Sequence, residues 1–273
     1  MKIKKAIAGL ASAIAMLGCI HTSAAADQLR FGIDPTFPPF ESKNANGQLI
    51  GFDIDLGNAI CAEMKVQCSW VQNSFDGLIP ALQAKKFDAI LSSLSITDER
   101  KKAISFSDKL FNTPAFLVTA KGSSLAPTAA SLKGKRIGVQ QGSVFESYAN
   151  KYWRNAGVEV VAYPDAESVY ADLINGRLDG TLDDAVVITE ALLSKPQGQK
   201  FTLIQPQVKD DEIFGPGTGI GLRQDDIDLQ ARFNKAIAAI LNRAGKKTGR
   251  ATAGPARASA CCAITAGSLP IAR

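Results

Sequence analysis

The sequence predicts an α/β protein of two lobes, each a mostly parallel sheet flanked by helices, with the lobes joined by two hinge segments. Three observations lead there. Short apolar runs alternate with helical patterns, the order that builds βαβ units. Two patterns each occur twice and in the same order, as a duplicated lobe requires. The glycine-rich FGPGTGIGLR (214–223) reads as a strand that carries the chain back to the first lobe.

The chain opens with Lys2, Lys4 and Lys5, then the fifteen-residue apolar run AIAGLASAIAMLGCI, then Ala24-Ala25-Ala26 before Asp27. This is the pattern of a secretory signal peptide over 1–26, too short to span a bilayer as a helix. Met16-Leu17-Gly18-Cys19 offers a lesser alternative, a lipoprotein box that would leave Cys19 acylated. Export has two consequences. His21 is the only histidine, so the rest of the chain holds no imidazole for a triad or a metal. Of the 31 basic residues, three precede Asp27 and five follow Gly245; the remaining 23 face all 26 acidic residues, a net charge of −3. A mildly acidic body argues against nucleic acid as a partner. No metal and no cofactor are expected.

The first lobe is expected over 27–112. It begins with Arg30-Phe31-Gly32-Ile33-Asp34, a short strand with glycine at its centre. A helix follows in DIDLGNAICAEM, with Ile54, Leu56, Ile60 and Met64 near helical spacing. Cys61 and Cys68 flank its end, and in an oxidising compartment they form a disulfide; two free thiols are the alternative. LQAKKFDAILSS (82–93) is a helix end running into a buried strand. Thr97 then caps a helix through DERKKAI, which puts Arg100 in a first turn where the helix dipole disfavours a cation.

The second lobe is expected over 113–208, and the repeats fall in it. Arg136-Ile137-Gly138-Val139-Gln140 matches the opening strand, and LINGRLDGTLDD (173–184) matches LQAKKFDAILSS. Ser143 caps the helix SVFESYANKYWRNAG, with Glu146 completing a capping box and Gly157 as the stop. Residues 209–245 return to the first lobe and end in a helix to about Leu241. Two crossings between lobes make a hinge over a cleft.

The repeat also locates a site, because α/β proteins bind ligands past strand ends. Ser93 and Asp184 occupy matching strand ends, as do Asp34 and Gln140. Arg100 can grip a carboxylate with two parallel hydrogen bonds. The helix beginning at Ser143 offers N–H groups to the same anion. Asp184 takes an ammonium, and Ser92, Ser93 and Ser95 supply hydroxyls and carbonyls around both. Carboxylate and ammonium together describe an α-amino acid. Phe37 and Phe75 stack on its side chain, and Asp34 receives a distal positive charge. Each residue has a plainer reading: Arg100 a solvated member of DERKK, the serines turn residues, Asp184 a helix cap, the phenylalanines core.

The stretches GIDPTFPPFESKNANGQLIGFDIDLGNAIC, FDGLIPALQAKKFDAILSSLSITDERKK, LKGKRIGVQQGS, GRLDGTLDD and FGPGTGIGLR resemble a periplasmic amino-acid-binding protein of an ABC importer, in the lysine/arginine/ornithine- and histidine-binding family. The resemblance covers 28–243. It implies a two-lobed binding-protein fold that closes on an amino acid and delivers it to an inner-membrane permease complex. It implies that Arg100, with N–H groups near Ser95 and Val144, holds the α-carboxylate, and that Asp184 and the serines hold the α-amine. Phe37 and Phe75 would sandwich the side chain, with Asp34 at its far end and Cys61–Cys68 as the family disulfide. A monomeric periplasmic receptor for Arg, Lys, ornithine or His is the reading. An exported enzyme on the same fold, dehydratase-like, is the alternative and needs a carboxyl or lysine as general acid.

The sequence also departs from the family. Val144 and Phe145 stand where relatives carry a polar pair, and Phe37 replaces a common tyrosine, so the side-chain pocket loses hydrogen-bonding capacity. Residues 246–273, without acid or aromatic, read as a shifted frame or replaced terminus in which Cys261 and Cys262 are accidental.

Overall fold

The computed structural model describes residues 27–248; the signal peptide, Cys19 and the tail from 249 to 273, with Cys261 and Cys262, lie outside the described residues. The first part of the chain gives β1 (Gln28–Ile33), β2 (Ser42–Lys43), β3 (Leu49–Ile50), α1 (Phe52–Met64), β4 (Gln67–Gln72), α2 (Leu78–Gln83), β5 (Ala89–Ile90), α3 (Asp98–Lys101) and β6 (Ser105–Phe106). The middle gives β7 (Ala115–Ala120), α4 (Ala129–Leu132), β8 (Arg136–Gln140), α5 (Val144–Tyr152), β9 (Glu159–Tyr163), α6 (Ala166–Ile174), β10 (Gly180–Asp184), α7 (Ala185–Ile188) and β11 (Phe201–Val208). The last part gives α8 (Asp211–Phe214), β12 (Gly221–Leu222) and α9 (Ile227–Thr248).

Two five-stranded sheets result, ordered β4-β1-β5-β12-β6 and β11-β7-β10-β8-β9. β1 runs parallel to β4 and β5, and β8 runs parallel to β9 and β10. β12 is antiparallel to β5 and β6, and β7 is antiparallel to β10 and β11. The sheets are therefore mixed rather than mostly parallel. Parallel neighbours need a crossover helix within one lobe, whereas β7 and β12 arrive from the other lobe and are free of that constraint.

The internal repeat is visible atom by atom. The Arg30 N–H donates to Asp88 Oδ2 at 2.9 Å, and the Arg136 N–H donates to Asp179 Oδ2 at 2.8 Å. In return, Asp88 N–H reaches Arg30 O and Asp179 N–H reaches Arg136 O. A Cβ on Gly32 would stand 2.3 Å from the Phe87 ring, and one on Gly138 would stand 2.4 Å from Leu178 Cδ1. Glycine at each strand centre is thus what lets Phe87 and Leu178 pack flat on their sheets.

Each sheet has its own core. Phe31 on β1 stacks on Trp70 at 5.0 Å between centroids and meets Phe233 of α9 at 5.9 Å, with Leu56 and Ile60 of α1 beside them. In the second lobe Trp153, Leu117, Ile137, Val139 and Leu182 pack together, all nearly without exposure. Burying one such side chain contributes about 1.5–3 kcal/mol. Cys61 in the last turn of α1 is bonded to Cys68 of β4, so the free-thiol alternative falls.

Three helix expectations need correction. α3 stops at Lys101 instead of running through DERKKAI, because Ala103 and Ile104 turn their N–H groups back to Arg100 O and drop Ile104 into the core. α9 passes Leu241 and runs to Thr248. The capping box at α5 is shifted: Ser143 Oγ accepts from Glu146 N–H, but Glu146 Oε2 accepts from Gly142 N–H instead of Ser143 N–H. Ser143 N–H is already committed to Gln140 O.

The chain passes between sheets after β6 and after β11. The two passages are hydrogen-bonded to each other: Ser107 N–H to Ile220 O, Leu110 N–H to Thr218 O, and Thr218 N–H to Phe111 O, at 2.8–2.9 Å. No helix among the described residues is long and apolar enough to cross a membrane.

Candidate functional site

A cavity lies between the two sheets, at strand ends. From the first lobe it is lined by Asp34, Phe37, Phe75, Ser93, Ser95 and Arg100; from the second by Gln140, Ser143, Val144, Phe145 and Asp184. One expected residue is missing. Ser92 does not line the cavity; it is buried behind it, where Oγ accepts from Asp34 N–H and donates to Glu41 Oε1, both at 3.0 Å. Its hydroxyl hydrogen is spent on Glu41 and one lone pair on Asp34 N–H.

Arg100 is the one cation among the lining residues. Thr97 Oγ1 caps its helix by accepting the Arg100 N–H. The guanidinium lies 5.4 Å from the Phe75 ring centroid, donates to Ser95 O at 2.9 Å, and reaches across to Gly142 O at 3.0 Å. Among the described residues it forms no ion pair, and burial pushes it down to about 10. A desolvated cation bonded only to carbonyls retains donors for an anion. Gly142 leads directly into α5, where the Ser143 cap takes the Glu146 N–H and not those of Val144 and Phe145, both of which line the cavity.

The carboxylates sit elsewhere on the wall. Asp184 ends β10 and caps α7: Oδ1 accepts from Val186 N–H at 2.8 Å and Val187 N–H at 3.1 Å, and Oδ2 accepts from the Thr113 hydroxyl. Asp184 is thus the helix cap of the plainer reading, and the same residue lines the cavity wall. Asp34 accepts from Thr36 Oγ1 at 3.1 Å and from Gln140 Nε2 at 2.7 Å, a bond that spans the two lobes. Burial raises both carboxyls to about 6, against those hydrogen bonds.

The lobes touch at Gly142 as well. A Cβ there would stand 2.9 Å from Asp76 Cα, and its φ is +74°. Only glycine fits that backbone-to-backbone approach.

Several lining residues were not foreseen: Phe40, Glu41, Phe111, Thr113, Phe214 and Thr218. Phe111, Thr113 and Thr218 belong to the two passages between lobes. Phe214 ends α8 and stacks on Tyr148 at 5.5 Å. Their signal was positional, since any residue in a crossing borders the cleft it spans.

A family model described as bacterial extracellular solute-binding proteins, family 3, matches residues 29–246. The chain belongs to this family. This solute-binding protein is 51% identical over 236 residues to the lysine/arginine/ornithine-binding periplasmic protein of Escherichia coli K12, covering 86% of this chain and 91% of that one. It is 46% identical to the histidine-binding periplasmic protein of Salmonella typhimurium LT2, covering 86% and 91%. Among solved structures it resembles an ancestral arginine-binding protein bound to arginine, with a TM-score of 0.74, 34% identity, and coverage of 82% and 95%. The family and these relatives are binding proteins, not enzymes, so the exported-enzyme alternative is set aside.

Proposed function

We propose that this protein is a periplasmic receptor that closes its two lobes on a cationic amino acid and delivers it to an ABC permease as a monomer. One observation carries the reading. The same cavity holds a desolvated arginine without a carboxylate partner, and two buried carboxylates, Asp34 and Asp184, without a basic partner. A zwitterion with an extra positive charge satisfies all three.

In that pose Arg100 and the first N–H groups of α5 take the α-carboxylate, with Ser95 and Ser143 beside them. Asp184 and Ser93 take the α-ammonium. Phe37 and Phe75 flank the side chain, Val144 and Phe145 close it from the second lobe, and Asp34 with Gln140 meets the distal cation. A neutral side chain would leave Asp34 unpaired, at a cost of about 1–3 kcal/mol. The lobes of this reading are 27–112 and 113–208, with 209–245 returning to the first. The periplasmic address follows from the signal pattern of 1–26 and from the descriptions of the relatives.

A thermal-shift screen over the twenty amino acids and ornithine tests it, since a ligand that binds only the folded state raises its melting temperature. Arginine, lysine, ornithine or histidine should give the largest shift. Equal shifts with glutamate and arginine would refute the cationic assignment.

A further inference from the structure

Two further buried carboxyls, Glu41 in the cavity wall and Asp53 behind it, take no part in the pose above. Glu41 is 1% exposed and Asp53 of α1 is 0% exposed. Ser92 donates to Glu41 Oε1 at 3.0 Å and Ser93 donates to Glu41 Oε2 at 3.1 Å. The Ser93 N–H donates to Asp53 Oδ2 at 2.7 Å. The groups packed around the pair are these two serines after β5, the backbone of Phe37, which is bridged to Glu41, and Asp34 beyond Ser92. Among the described residues neither carboxyl has a basic partner. Two such groups cannot both carry charge without a counter-ion. Burial and then the neighbouring Asp53 push the Glu41 carboxyl well up, and burial raises Asp53 to about 6.

What the pair holds is the binding turn. Ser93 has φ +48°, a left-handed conformation that an L-residue keeps only when its surroundings impose it. Both its N–H and its hydroxyl are fastened to this pair. Ser92, fastened to the same Glu41, holds the backbone N–H of Asp34. Glu41 also exchanges backbone hydrogen bonds with Phe37. Three lining residues from two chain segments, Asp34 and Phe37 after β1 and Ser93 after β5, thus refer to one carboxyl pair.

We propose that Glu41 and Asp53 share a single proton and act as a positioning pair for the ligand site, fixing the Ser92–Ser93 turn, the Asp34 backbone and Phe37. The positioning half rests on reading the cavity as the amino-acid site; the proton half does not.

Glu41→Gln separates the two. The amide is permanently neutral, keeps an acceptor for Ser92, and places an N–H donor where the shared proton lies. The first measurement is the melting temperature of protein freed of ligand by unfolding and refolding, parent against Glu41→Gln, from pH 5 to pH 9. The folded parent keeps a proton that its unfolded chain has released. Its folding constant should therefore fall relative to the variant by up to about tenfold per pH unit as pH rises, until the pair ionises. A difference that stays constant from pH 5 to pH 9 would overturn the shared proton.

The second measurement is titration with L-arginine. Glu41→Gln should bind within about threefold of the parent, and Glu41→Ala at least about tenfold more weakly, the effect of unmaking buried hydrogen bonds. An alanine variant as tight as the parent would overturn the positioning role, and so would a glutamine variant as weak as alanine. If Glu41→Ala does not fold, Glu41→Gln decides with the melting series. Failure of the parent to bind arginine would count against the proposed function, while the ligand-free melting series still decides the proton.

Discussion

Gln140 Nε2 donates to Asp34 Oδ2 at 2.7 Å, and this bond ties the end of β8 in one lobe to the end of β1 in the other. The repeat places these two residues at equivalent positions, so the sheets meet through matching strand ends. Asp34 carries the charge and Gln140 steers it. Asp34→Ala should therefore flatten discrimination among side chains and leave weak general amino-acid binding in place. For arginine the loss should be about 2–5 kcal/mol, the range for truncating a buried charge partner. Calorimetry with arginine and glutamine on both proteins checks this; loss of all binding would place Asp34 at the shared α-group site.

Arg100→Ala should weaken every amino-acid ligand alike, again by about 2–5 kcal/mol. Folding should survive, because the change removes a cation from a helix N-terminus. Arg100→Lys should stay poor, since a point charge cannot reproduce a two-pronged contact. The check is a double cycle of Arg100→Ala against a carboxyl-amidated ligand. Additive losses would mean that Arg100 and the carboxylate do not meet.

Acidification should release a cationic ligand. Asp34 and Asp184 stand at about 6, raised by burial, and the ligand needs both ionised. Affinity should fall by about tenfold per pH unit for each as pH drops below 6. The same shifts act oppositely on the free protein. Raised carboxyls favour folding below their unfolded pKa, and that contribution is lost as pH rises through about 6. Melting curves with and without arginine, at pH 5 and pH 7.5, separate the two trends. A ligand-induced shift that is equal at both pH values would refute the requirement for ionised carboxyls.

Breaking Cys61–Cys68 should lower stability without touching the site. The bridge spans a separation of 7 residues between α1 and β4. Closing so short a loop contributes about 2–3 kcal/mol in the chain-entropy account. The double variant Cys61→Ser, Cys68→Ser should melt lower and bind arginine as the parent does. An affinity loss larger than tenfold would show that α1 transmits strain to Asp53 and Ser93.

Much of this architecture could be read from the chain, because duplication states its own geometry. Gly32 with Phe87 and Gly138 with Leu178 repeat one packing solution, and sequence spacing is enough to align them. Cap residues at Thr97, Ser143 and Asp184 were legible too, since each acts within three residues of itself. The orientation of β7 and β12 was not, because strand direction depends on which lobe the chain comes from. The buried place of Ser92 was hidden for a similar reason. Nothing near SSLSITDER says that a glutamate 51 residues earlier takes its hydroxyl. Glu41 and Asp53 look like surface acids in FPPFESK and GFDIDLG, and only the fold brings them together.

The approach of Gly142 to Asp76 gives the jaws a mechanical stop. Two backbones in contact do not compress, so the shut cleft has a width set by the chain itself rather than by its cargo. A side chain that fits within that width lets the stop engage, and one that is too bulky holds the jaws ajar. On the receptor reading proposed above, that stop would turn ligand size into an angle between the lobes.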